Sequence, residues 1–272
     1  VAATKTNIPS KLLFNLNKQP LESPIQPSVS QESDSPTTDT IAVKTPPPTR
    51  PEGEILLINK PLGWTSFQAV KKIKYITRAK KVGHAGTLDP LASGLLIICT
   101  EKQTKTIQSI QDAPKEYTGS IHIGAVTPSY DLETDPCNFM SIDGITEQQI
   151  REVAESFLGE TDQIPPLFSA VKVDGKRAYK LARKGEDTVL KSRKITLTEF
   201  EITEINGPEI FFRIACSKGT YIRSIAHDFG KKLGCGAYLS SLVRTKIGDF
   251  NLINATSIQE FEEARRKRPD FC

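Results

Sequence analysis

Histidine is scarce in this chain, with three in 272 residues, and methionine and tryptophan occur once each. His84, His122 and His227 share no paired spacing, which argues against a dedicated metal site. The five cysteines, Cys99, Cys137, Cys216, Cys235 and Cys272, are odd in number and never form a Cys-x-x-Cys pair. That argues against a disulfide framework or zinc ribbon and for a reducing compartment. No apolar run approaches the ~20 residues that span a bilayer, so no membrane partner is expected. The phosphate loop Gly-x-x-x-x-Gly-Lys is missing, and Gly234-Cys235-Gly236 lacks the third glycine of a dinucleotide fingerprint. Asp228-Phe229-Gly230 has no His-Arg-Asp companion, and Ser217 lacks the first half of a nucleophile elbow.

What is present is charge, unevenly spread. The chain is long enough for a full core, in one large domain or two small ones. Its net charge is only +4, but distribution matters more than the sum where polyanions are concerned. Lys71, Lys72, Lys74, Arg78, Lys80 and Lys81 fall within eleven residues that hold no acid. A second stretch runs from Lys172 to Lys194, where nine Lys and Arg, among them Lys176, Arg177, Lys180, Arg183 and Lys184, face only Asp174, Glu186 and Asp187. Either run alone reads as a solvated face. The two together, flanking a polar loop, favour a phosphate backbone.

Residues 1–53 hold half of the prolines with many Ser and Thr, a composition expected to stay disordered. Such an extension, opening on Val1, fits the remnant of an import sequence and points to an organelle, a plastid ahead of a mitochondrion. Glu22, Glu32, Asp34 and Asp39 are untypical of a transit peptide, and a cytoplasmic origin is the alternative.

From residue 54 onward the pattern predicts strands over 54–59, 95–100, 117–123, 195–205 and 210–216. A helix capped by Thr65 or Ser66 carries Phe67, Val70 and Ile73 on one face, with the lysines outside. Further helices are expected over 146–158, from Gly219-Thr220 to Gly234, briefly near Tyr238–Leu242, and at the end, with a basic terminus at 265–268. A strand near 243–250 precedes that last helix. Ser169–Val173 with Asp174-Gly175 reads as a strand entering a tight turn, and Arg177–Lys184 as a basic helical projection. The sum is an α/β (α+β) fold with a mixed, mainly antiparallel sheet.

The stretch Gly83-His84-Ala85-Gly86-Thr87-Leu88-Asp89-Pro90-Leu91-Ala92-Ser93-Gly94 holds three glycines and a proline. It reads as a shaped loop, neither helix nor strand, that mounts one carboxylate, Asp89. On spacing alone, Asp89 either closes an Asp-Pro turn or is a reactive group. A nearby cation could keep it ionised and oriented. Arg223 is a candidate for that cation and equally a candidate surface arginine, while Tyr221 reads first as core.

This stretch resembles the signature loop of the TruB family of pseudouridine synthases. The resemblance continues, in family order, through Lys60-Pro61-Leu62-Gly63-Trp64-Thr65-Ser66, Lys115-Glu116-Tyr117 and Pro165-Pro166-Leu167-Phe168-Ser169-Ala170-Val171-Lys172. Ser217-Lys218-Gly219-Thr220-Tyr221-Ile222-Arg223 and Leu242-Val243-Arg244-Thr245 complete it. It implies a pseudouridine synthase fold and isomerisation of the T-loop uridine of tRNA, with no cofactor. By the same resemblance Asp89 is the catalytic aspartate, Arg223 its partner and Asp131 a pocket aspartate. Tyr117 stacks on the base, Tyr221 and Leu242 line the pocket, and His84 fills the space left by the flipped uridine. The segment of about 165–194 resembles a thumb that closes over the T-arm, with Lys172, Lys176, Arg177, Lys180, Arg183 and Lys184 on RNA. The implied partner is tRNA, and other RNA as a wider possibility, bound by a monomer. Ala85 departs from a common threonine. The residues after Phe250 read as too few for the small C-terminal RNA-binding domain of bacterial members. Alternatives are an RNA-binding, RNA-folding or organelle assembly protein with secondary catalysis, or a synthase acting mainly on other RNA such as mRNA.

Overall fold

The computed structural model describes residues 52–169, 171–173, 175–182 and 190–267. The tail expected over 1–53 therefore lies, but for its last two residues, outside the described part. The chain opens with β1 (Ile55–Lys60), α1 (Ser66–Thr77), β2 (Val82–His84), β3 (Ala92–Thr100), α2 (Ile107–Asp112) and β4 (Lys115–Ile123). It continues with α3 (Glu147–Glu155), β5 (Gly159–Gln163), β6 (Lys172–Val173), β7 (Lys176–Arg177) and α4 (Ala178–Ala182). Then come β8 (Arg193–Asn206), β9 (Glu209–Cys216), α5 (Ile222–Leu233) and β10 (Ala237–Ile247). Short strands β11 (Phe250–Asn251) and β12 (Thr256–Ser257) lead into α6 (Ile258–Arg266).

One large sheet runs in the order β12-β1-β3-β10-β4-β9-β8-β5, with β2 added to β3 and β11 to β10. Its pairings are antiparallel except β1 with β12 and β3 with β10, so the sheet is mixed and mainly antiparallel. β6 and β7 form a separate ribbon at the turn expected around Gly175. β9 alternates buried and half-buried residues because one face packs on α3 and α5, around Phe157, Phe200, Phe212 and Phe229. β3 is buried almost throughout, since both its faces are covered. Leu96 and Ile98 meet α1 and α6, while Leu95, Ile97 and Cys99 meet Ala85, Ile110 and Ile247. Capping boxes start α1 at Thr65–Gln68, α3 at Thr146–Gln149 and α6 at Ser257–Glu260.

Three local expectations are corrected. The glycine-rich stretch is not loop throughout, because Gly83 lies in β2 opposite Cys99 and Gly94 lies in β3 opposite Lys60; only residues 85–91 form the loop proper. Phe67 does not face the core but is 72% exposed, and the buried face is Ser66, Ala69, Ile73 and Ile76. A strict three-residue step drifts off a stripe that must advance 3.6 residues per turn. The segment Tyr238–Leu242 is strand, part of β10, with no helix there.

Candidate active site

β3 and β10 run parallel through three residue pairs, Leu242 with Ala92, Val243 with Ser93 and Arg244 with Gly94. Asp89 lies just upstream of β3, so this short seam brings it beside Leu242. The loop is fastened from two sides. Ser66, buried at the start of α1, exchanges hydrogen bonds with Leu88, its Oγ donating to the carbonyl (2.9 Å) and accepting from the amide (2.8 Å). From β10, the buried Arg244 donates to the carbonyls of Leu95 (2.8 Å), Gly86 (3.0 Å) and Thr87 (3.4 Å). Gly94 is required where it stands: its φ is +98°, and a Cβ there would lie 2.4 Å from the Arg244 carbonyl oxygen.

A cleft of about 890 Å³ opens over this loop, lined by Asp89, Tyr117, Tyr221, Arg223, Leu242 and Arg244 among others. Its size suits a small organic group. Asp89 is about two-fifths exposed there, and its Oδ2 is 2.9 Å from Nη2 of the nearly buried Arg223. The same guanidinium donates to the carbonyls of Phe168 (3.0 Å) and Ser129 (3.2 Å) and holds Nε 3.6 Å from Asp131 Oδ2. Burial raises the Asp89 pKa; the Arg223 charge opposes this, and the charges of Asp131 and Glu133 add to it. Tyr117 is buried, which raises its phenol pKa against the pull of Arg244. The phenol is therefore neutral near pH 7 and offers a ring face and an O–H.

Tyr221 caps α5, and the side-chain amide of Gln163 clamps its backbone, donating to the carbonyl (3.0 Å) and accepting from the amide (2.8 Å). Arg193 stacks 4.7 Å over its ring. Asp131 is buried behind Arg223, and its Oδ1 accepts from the Glu133 amide at 3.0 Å. Beside it a recess of about 20 Å³, bounded by Asp89, Leu239 and Ser241 among others, has room for about one water.

The structure thus brings Asp89, Tyr117, Tyr221, Arg223 and Leu242 to one cleft, with Asp131 directly behind. His84 is elsewhere: it sits in β2, outside the cleft lining, with Nδ1 buried. Burial, then the Arg244 charge, lower its pKa against a contact with the Gly86 backbone. Lys172 lies in β6, Lys176 and Arg177 in β7, and Lys180 in α4; their side chains, and Arg183 and Lys184 altogether, are outside the described part.

Three further residues serve the site. Arg244 and Lys60 lie inside the family-like segments, yet neither carries an expected role. Lys60 is fully buried, its Nζ donating to the carbonyls of Pro61 (2.9 Å) and Trp64 (2.5 Å). Arg193, within the second basic stretch, lines the cleft. For Lys60 and Arg244, burial of a cation was the signal missing from sequence, since a Lys or Arg reads as surface by default.

The family model for the N-terminal domain of TruB family pseudouridylate synthases matches residues 74–222, and a tRNA pseudouridylate synthase B C-terminal domain model matches residues 223–269. The tRNA pseudouridine synthase B of Flavobacterium johnsoniae is 56% identical over 78% of this chain and 96% of its own length. That of Phocaeicola vulgatus is 50% identical over 78% of this chain and 93% of its own. Among solved structures, a chain of a Cbf5-Nop10-Gar1 complex is similar with a TM-score of 0.63 and 32% identity, over 79% of this chain. This chain spans 55% of that one's length. A chain of an H/ACA RNP bound to a substrate RNA containing 2′-deoxyuridine matches at a TM-score of 0.60 and 28% identity, over 80% of this chain and 56% of that one.

Proposed function

The chain belongs to the TruB family of pseudouridylate synthases and is an isomerase, and from that premise we infer that it converts the T-loop uridine of tRNA to pseudouridine above Asp89. The tRNA named for its relatives supports the substrate. The observation that carries the reading is one carboxylate, held by a buried guanidinium, on the floor of a cleft walled by an aromatic and an apolar side chain.

The reaction breaks the C1′–N1 bond and makes C1′–C5, with one proton lost from C5 and one gained at N1. Asp89 is the group that acts on the nucleoside, and Arg223 keeps its carboxylate directed into the cleft. Tyr117 offers a face for the base to stack on, and Leu242 a wall against which the detached uracil can turn. A base inside a stacked loop is out of reach, so the uridine must flip, at a cost of a few kcal/mol. Cations at the rim fit the phosphates that accompany it. Arg193, Lys194 and Lys218 line the cleft, and the lysine-bearing face of α1 starts beside Thr65, also a lining residue. Phe168 and Tyr179 line it as well, which supports a thumb-like segment that reaches the site.

The test is an unmodified tRNA transcript incubated with the wild type or Asp89→Asn, followed by pseudouridine mapping. The wild type should convert the T-loop uridine, and the variant should make no product above background. Equal product from both would remove Asp89 from the chemistry; RNA binding without product from the wild type would favour a scaffold.

A further inference from the structure

β10 carries two breaks of register against β4, and they bracket the residues that reach the cleft. Leu239 pairs with Ile121 but Ser241 with Ser120, so Ser240 is extra; Arg244 pairs with Tyr117 but Lys246 with Glu116, so Thr245 is extra. Side chains alternate along a strand, and Ala237 and Leu239 lie in the aromatic core. Unbroken alternation would next send Ser241, Val243 and Thr245 inward and turn Leu242 and Arg244 away from the cleft. The extra Ser240 prevents this. Ser240 and Ser241 both bond Ser120 Oγ on the opposite face, each at 2.8 Å. Leu242 returns to the core side, opposite Gly119, and Arg244 reaches beneath the loop. The extra Thr245 then restores the count, so that Ile247 is buried opposite the buried Lys115.

Each extra residue is gripped by a glutamate on the face away from the cleft. Glu209, on β9 and 2.9 Å from His122 Nδ1, accepts from Ser240 Oγ. Glu116, on β4, accepts from Thr245 Oγ1 at 2.7 Å and from Lys246 Nζ at 2.9 Å. Neither carboxylate lines the cleft. We propose that Glu209 and Glu116 are positioning residues that hold β10 in its twice-bulged register and thereby keep Leu242 and Arg244 on the catalytic side of the sheet. This rests on the reading of that cleft as the catalytic one.

The pairing supplies a rescue. With Ser240 deleted, Leu239 and Ser241 continue the ladder with the partners they already have, so the clamp is no longer needed. Glu209→Ala should lower kcat on tRNA by about tenfold or more with KM little changed, while Glu209→Gln, still able to accept from Ser240, stays within about threefold. Glu209→Ala combined with deletion of Ser240 should return to within about threefold of the wild type. An unrescued loss overturns the proposal, as does a Glu209→Ala enzyme as fast as the wild type. If Glu209→Ala alone fails to fold, the double variant still decides: folded and active supports, unfolded overturns.

Register is also readable without activity. Thr118 and Val243 are opposed on the outer face, so the Thr118→Cys/Val243→Cys pair should form a disulfide under oxidation. Adding Glu209→Ala should cut its yield about fivefold or more, as the cysteines part company. Equal yields overturn the proposal. A wild type that makes no pseudouridine would instead defeat the catalytic reading, leaving the cross-linking result intact.

Discussion

Arg223 joins three segments through one guanidinium: the loop at Asp89, the Ser129–Asp131 turn, and the carbonyl of Phe168 at the base of the thumb-like segment. The field at Asp89 follows. Burial comes first in raising its pKa from the ordinary 3.8, with Asp131 and Glu133 adding and Arg223 opposing. A carboxylate whose pKa is raised by folding binds its proton more tightly in the native state. Stability therefore rises as pH falls through the folded pKa toward the ordinary 3.8, and at neutral pH the ionised group is a local burden. Two outcomes are expected. The acid limb of kcat/KM should fall above the ordinary carboxylate range, and move further up in Arg223→Met. Asp89→Asn, inactive, should melt above the wild type at pH 7 by calorimetry; a lower Tm would contradict the sign. Lys60 shows the complementary case. Burial, against the attraction of Asp89, pushes its pKa down to about 8, so the unfolded chain binds more protons between that value and the ordinary 10.5. Wild-type stability should thus gain on that of Lys60→Met between pH 8 and 10, as read by urea titration.

At the scale of elements, α1 does two jobs on two faces. Ser66, Ala69, Ile73 and Ile76 hold it to the sheet, and Ser66 ties it to the loop. Outward it shows Phe67, Lys71, Lys74 and Tyr75, with Arg78 at its C-cap. Among the described residues Lys72 is its one cation in an ion pair, with Glu262 at 2.6 Å. Reversing Lys71, Lys74 and Arg78 should weaken RNA binding and reduce its salt slope by roughly 0.7–0.9 for each phosphate no longer neutralised. Reversing Arg177 and Arg183 should do the same from the other basic stretch. Unchanged affinity across a salt titration of either variant would detach that surface from RNA.

The same two faces show what sequence could and could not convey. Regular elements with clean periodicity were legible: β9 with its strict alternation, α5 with its apolar stripe and Gly234 cap, and the start of α1, whose cap is Thr65. β10 was legible only in its second half, from Val243, because the extra Ser240 interrupts alternation between Leu239 and Leu242 and imitates a helical spacing. Gly83 and Gly94 read as loop residues, yet both pair within strands, and at Gly94 the demand is for close backbone approach to Arg244. In the site, Asp89, Tyr117 and Arg223 were recognisable by family resemblance, whereas spacing left Asp89 as turn or nucleophile. The roles of Arg244 and Lys60 follow only from burial against carbonyls, and no one-dimensional pattern reports that.

Across the whole molecule, the site lies where two packed halves meet. β4, β8 and β9 with α3 and α5 enclose the aromatic core, and β1 and β3 with α1 and α6 enclose another. Along the seam β3 and β10 are joined by three residue pairs, and Ile247 of β10 packs with Leu95 and Ile97 of β3. Arg244 stands on β10, and its hydrogen bonds to Leu95, Gly86 and Thr87 all cross to β3 and its loop. Substituting Arg244→Met leaves those carbonyls without their buried partner and should cost about 1–3 kcal/mol of stability for each acceptor left unsatisfied. A fastening between halves should be felt unevenly. In native-state hydrogen exchange, amides of residues 85–91 and β3 should lose more protection than those of β8 and β9, which lie beyond the seam. Equal losses on both sides would mean that Arg244 supports the sheet as a whole. The uneven pattern would instead make it the bolt that holds the catalytic loop, carried on one half of the protein, against the wall supplied by the other.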